Sequence, residues 1–132
     1  MQRPNKWKVI MTDFYSKLSD REELLAKEIV DCAFKVHKEL GPGLLEKIYE
    51  ACFCYELTKK GIEHKRQVDL PIVYDDLIFD EGLRLDVLVE DLVICELKAV
   101  DLVNPIWKAQ IISHLRLTGK TWDFLSISML KE

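Results

Sequence analysis

The chain has 132 residues, 48% of them apolar, enough to bury one continuous core in one domain. Its 19 basic and 23 acidic side chains leave a formal charge of -4, which excludes a protein that grips nucleic acid by bulk positive charge, since that needs Lys and Arg clustered on one face. The longest apolar runs, such as Val9-Ile10-Met11, are too short for a secretory core or a membrane span, so no membrane contact and a cytoplasmic location are expected.

Residues 1–18 mix aromatic and polar side chains without a clean period and are set apart as an N-terminal arm; residues 19–132 read as the single domain. Ser19-Asp20-Arg21-Glu22 fits a capping box, and Leu25, Ile29, Cys32, Val36 and Leu40 recur behind it at helical spacing. Gly41-Pro42-Gly43 stops this helix, because glycine adopts the left-handed cap and proline cannot continue the ladder. A second helix follows, with an expected buried stripe of Leu45, Ile48, Tyr49, Cys52 and Tyr55, Phe53 being a further candidate, and it ends at Lys59-Lys60-Gly61.

After Gly61 the period shortens to two. Val68, Leu70, Ile72 and Tyr74 alternate with Gln67, Asp69, Pro71 and Val73, which predicts a strand that Pro71 confines to an edge or interrupts. Asp75-Asp76 turns the chain, Gly82 reads as a break, and Leu83–Val89 with Leu92–Val100 form a hairpin. Asn104-Pro105 opens another helix, Gly119 ends it, and the apolar stretch from Trp122 to Leu130 suits a closing strand. The order ααβββαβ predicts an α/β domain of α+β order, a mixed sheet flanked by helices. Cys32, Cys52, Cys54 and Cys95 form no CxxC pair and are expected as free thiols, mostly in the core.

The strand from Leu92 to Val100 is apolar on both faces except for Glu96 and Lys98, which alternation places on one face. Burying an unpaired charge costs on the order of several kcal/mol, so a counter-ion, a metal or hydrogen bonds must face this strand. Asp86 on the preceding strand supplies the partner. A three-residue loop at Glu90-Asp91-Leu92 sets Asp86 directly across from Glu96, whereas a two-residue loop puts them on opposite faces. Two facing carboxylates persist as ions when a divalent cation lies between them, and hard oxygen ligands suit Mg2+ or Mn2+ rather than Zn2+.

Asp86 followed by Glu96-Leu97-Lys98 resembles the PD-(D/E)XK signature of metal-dependent nucleases. Val36-His37-Lys38-Glu39-Leu40-Gly41-Pro42-Gly43-Leu44-Leu45-Glu46-Lys47-Ile48-Tyr49, then Tyr55-Glu56-Leu57, Gly61-Ile62, Leu85-Asp86-Val87, Glu96-Leu97-Lys98-Ala99-Val100 and Ala109-Gln110, are similar in order and content to the GxxExxY family of that nuclease-like superfamily, over about residues 24 to 120. The resemblance implies a restriction-endonuclease-like core in which Asp86, Glu96, Glu46 and the Leu97 carbonyl hold the metal. It implies that Lys98 orients the attacking water or stabilises transition-state charge, and that Gln110 supports the site from its helix. Trp107 and His114 stand where relatives commonly carry histidine and tyrosine, on the helix that bears Gln110.

Each residue also has a purely structural reading. Glu46 in a first helical turn is stabilised by the dipole, Tyr49 is expected in the core, and His37 suits a helix C-terminus. Lys59, Lys60, Lys65 and Arg66 form a local basic cluster whose simplest meaning is solvated helix-end charge. Two functions follow: a Mg2+- or Mn2+-dependent nuclease acting on DNA or RNA, or an inactive module of the same fold that binds nucleic acid or a protein partner. Trp7, Trp107 and Trp122 are aromatic side chains available to a homodimer.

Overall fold

The structure, a computed structural model, describes residues 8–12, 19–98 and 122–128. Its elements run β1 (Lys8–Thr12), α1 (Asp20–Leu40), α2 (Glu46–Lys59), β2 (His64–Tyr74), β3 (Leu77–Val89), β4 (Val93–Lys98) and β5 (Asp123–Ser128). The five strands form one sheet in the order β1-β5-β4-β3-β2. Its pairings are antiparallel except for β4 with β5, which run parallel, so the sheet is mixed as the sequence predicts.

The capping box at the start of α1 is present: Ser19 Oγ accepts from the Glu22 N–H at 3.2 Å, and Glu22 Oε1 accepts from the Ser19 N–H at 3.1 Å. Leu25, Ile29, Cys32, Ala33 and Val36 then face the core. Gly41 and Gly43 take left-handed φ values of 71° and 97°, which carry the chain out of α1 and into α2. Tyr49 pins that turn. Its hydroxyl donates to the Gly41 carbonyl at 2.7 Å and accepts from the Leu44 N–H at 3.0 Å, while its ring is wholly buried. The core reading of Tyr49 is therefore correct, with a polar task added.

The buried face of α2 differs from the expected stripe. Tyr49, Phe53 and Leu57 at i, i+4 and i+8, with Glu50 and Cys54 beside them, face inward, whereas Leu45, Ile48 and Tyr55 are exposed. Apolar content alone misplaced the face, because three apolar side chains lie on the outer side and one acid lies on the inner.

Pro71 sits on an edge strand, beside a register shift between Leu70 and Ile72 where Asp80, Glu81 and Gly82 of β3 oppose it. Gly82 does not break β3. A Cβ there would lie 2.1 Å from the Leu70 carbonyl oxygen, so the glycine permits a close backbone approach inside a continuous strand.

Two clusters cover the sheet. Val87, Val89, Val93, Cys95, Leu97 and Ile127 pack with α1 and α2, while Leu70, Leu85, Leu88, Ile94 and Trp122 form a second cluster. Trp122 is thus buried inside the fold rather than displayed to a partner subunit. Cys32, Cys54 and Cys95 are buried free thiols; burial pushes the Cys54 thiol up to about 12. Among the described residues no helix is long and apolar enough to cross a membrane.

Candidate metal centre

The β3–β4 connection is the three-residue loop. Val89 pairs with Val93, Leu88 with Ile94 and Val87 with Cys95, and one further step in this register sets Asp86 opposite Glu96. Glu90 and Asp91 take left-handed φ values of 49° and 55°, and the Leu92 N–H closes the turn on the Val89 carbonyl at 3.0 Å. The loop length that the sequence left open is settled in favour of the facing acids.

The two carboxyl groups then replace the backbone ladder. The Asp86 N–H donates to Glu96 Oε1 at 3.2 Å, and the Leu97 N–H donates to Asp86 Oδ2 at 3.3 Å. Each side chain is thereby fastened to the opposite strand. Glu96 is 2% exposed. Burial, followed by the side-chain hydrogen bond and negative charge of Asp86, pushes the Glu96 carboxyl up to about 9, and the hydrogen bond from the Asp86 N–H and then the charge of Lys98 offset only part of this. Lys98 ends β4 two residues on, on the Glu96 face and partly exposed.

Such a pair holds a positive charge in some form. A shared proton satisfies it up to about pH 9; a divalent cation satisfies it without protonation, and carboxylate oxygens are the hard donors that Mg2+ and Mn2+ prefer. The residues present fit that kind of ion. Glu46 stands in the first turn of α2, partly exposed, and among the described residues no group of three or more His, Cys, Asp or Glu side chains is close enough to hold a metal. Asp86 and Glu96 are brought together as a pair, and Glu46 stands outside it. The Leu97 side chain is in the helix-facing core. Gln110, Trp107 and His114 lie outside the described residues.

The basic cluster is largely consumed by ion pairs. Lys59 meets Glu56, Lys60 meets Glu28, and Arg66 meets the buried Glu50. His37 is buried, with its carbonyl accepting from the Gly41 N–H at the end of α1. A hollow of about 870 Å³ lies elsewhere, between the end of α2 and β2, lined by Thr58, Ile62, His64, Lys65, Leu88 and Glu90 among others. Asp86 and Glu96 do not line it, and Glu90 in its wall is already paired with Arg21.

Sequence reasoning missed Glu50, which accepts from Arg66 Nε and Nη2 at 3.1 and 2.8 Å and from Gln67 Nε2 at 2.7 Å. The available signal was an acid next to Tyr49 and one turn from Phe53 and Cys54, inside the arc that a helix of this length must bury.

A mixed sheet with two helices packed on one face and two acids meeting across neighbouring strands defines an α+β domain of the restriction-endonuclease-like kind. The sequence profile of the PD-(D/E)XK nuclease superfamily matches residues 23–125, and the chain belongs to that superfamily. Searches of curated proteins and of solved structures return no match.

Proposed function

We propose that this protein is a divalent-metal-dependent nuclease of the GxxExxY type, hydrolysing phosphodiester bonds in DNA or RNA. The observation that carries the reading is the Asp86–Glu96 contact, formed by two strands of a chain whose superfamily is nuclease-like. Asp86 and Glu96 would hold Mg2+ or Mn2+ through their carboxylate oxygens, with the Leu97 carbonyl as a further ligand; Glu46, which the family resemblance adds to the set, stands apart from the pair and is left out of it. When bound, the ion supplies Lewis acidity and lowers the pKa of a coordinated water. Lys98 contributes a fixed positive charge beside the acids, suited to orienting the attacking water and to stabilising charge that develops on the phosphoryl oxygens. Gln110 supports the site in the manner the family resemblance implies.

The acidic net charge makes the ion part of substrate binding as well as of chemistry, because a polyanion approaches paired carboxylates only after their charge is offset. The test is cleavage of single- and double-stranded DNA and RNA with Mg2+ or Mn2+ and with EDTA. The wild type is expected to cut only with metal, and Lys98→Ala to lose about 100-fold or more in rate while still taking up Mn2+. Manganese uptake without turnover on any substrate would instead make the protein a non-catalytic module of the same fold.

A further inference from the structure

β2 and β3 both change face at one row of the sheet. In a regular strand residues two apart share a face, yet Val87 packs with the helices while Leu85 belongs to the second cluster with Leu88 and Ile94. The switch therefore falls at Asp86. On β2 the register places Gln67 directly across from Asp86, between the pairs Arg66–Val87 and Val68–Leu85. Gln67 has a left-handed φ of 52°, uncommon for a residue with a side chain and costly inside a strand.

That backbone has a visible consequence. Strand neighbours point to opposite faces, but Arg66 and Gln67 both reach the carboxylate of Glu50 on α2, at 2.8 Å and 2.7 Å. Glu50 is 7% exposed, and its buried carboxylate accepts three charge-assisted hydrogen bonds from two side chains that reach in from the exposed edge of β2. Its Oε2 takes the guanidinium and its Oε1 the amide, which fixes Gln67 from the helix side.

We propose that Glu50, acting through Gln67 and Arg66, is a positioning residue for the candidate metal centre. It holds the Gln67 backbone in the conformation that turns β2 and β3 together, and so frees the Asp86 N–H from a regular ladder to meet Glu96. The proposal rests on the metal-site reading of Asp86 and Glu96, and extends the site one strand and one helix outward.

Two measurements on the full chain test it. In metal-free protein, Glu50→Gln should speed amide hydrogen exchange at Asp86 and Leu97 by about tenfold or more, leaving Ile29 and Val93 unchanged. By calorimetry, the same variant should bind Mn2+ about 10- to 100-fold more weakly. The transposed pair Glu50→Gln with Gln67→Glu, which exchanges carboxylate and carboxamide, should restore most of both. Gln67→Ala keeps the Arg66 ion pair and serves if Glu50→Gln folds poorly; it should show the same local effects.

Uniform acceleration of exchange across the core, or no rescue by the transposed pair, would reduce Glu50 to an ordinary clamp between α2 and β2 and overturn the proposal. A local change in exchange with unaltered Mn2+ affinity would overturn it equally. If the wild type takes up no Mn2+, the metal-site reading fails, and the metal-free exchange still decides whether Glu50 sets the geometry of Asp86.

Discussion

A glutamate buried in a strand that is covered on both faces holds a proton, meets a cation or destabilises the fold, and Glu96 is placed so that pH decides among these. The folded chain keeps its proton up to about 9, whereas the ordinary carboxyl value is 4.5. The folded state therefore binds more protons than the unfolded state across that window, and stability falls as pH rises from roughly 4.5 to about 9. Thermal melts in EDTA should show the wild-type midpoint dropping through this range, with Glu96→Gln much flatter and more stable than the wild type at pH 8. A wild-type midpoint that climbs over the same range would contradict the assignment. Tyr49 illustrates the opposite economy, a buried polar atom fully used. Tyr49→Phe strands the Leu44 N–H and the Gly41 carbonyl, and should cost about 1–3 kcal/mol in urea unfolding; an unchanged midpoint would mean that water replaces the hydroxyl freely.

The β2–β3 hairpin is built around a close approach at Gly82. Any side chain there meets the Leu70 carbonyl, so Gly82→Ala must push the strands apart where Pro71 already interrupts the register. Overpacking of this kind costs typically about 1–3 kcal/mol, and the loss should appear in chemical unfolding; a neutral outcome would show the hairpin to be pliable at that point. The elements differ in how far the sequence revealed them. α1 was legible to its cap, because its capping box and its apolar period point to the same start and the same face. The ends of α2 were legible, but its buried side was not, since Glu50 lies inside it while Leu45 and Tyr55 lie outside. The β3–β4 hairpin was legible as two alternatives that differ by one loop residue, and only the register decided between them. The face switch at Gln67 and Asp86 left no mark in composition, because it depends on one backbone angle and on an acid 17 residues away.

The molecule as a whole is an acidic domain, and the chemistry proposed for it depends on a cation held by two of its own acids. Helices α1 and α2 bury one face of the sheet, and β3 and β4 carry two acids to a row that the β2 edge strand also shapes. Beyond the bulge β2 and β3 end in an exposed apolar tip, Val73, Tyr74, Leu77, Ile78 and Phe79. Everything attributed to function depends on whether Asp86 and Glu96 act on one ion. The most direct measurement is anomalous diffraction from crystals soaked in Mn2+, with Asp86→Asn as the control. One manganese peak within bonding distance of both carboxylates in the wild type, absent from the variant, is the expected result. A peak that contacts neither carboxylate, or no peak while Glu96 keeps its hydrogen bond to Asp86, would contradict the account.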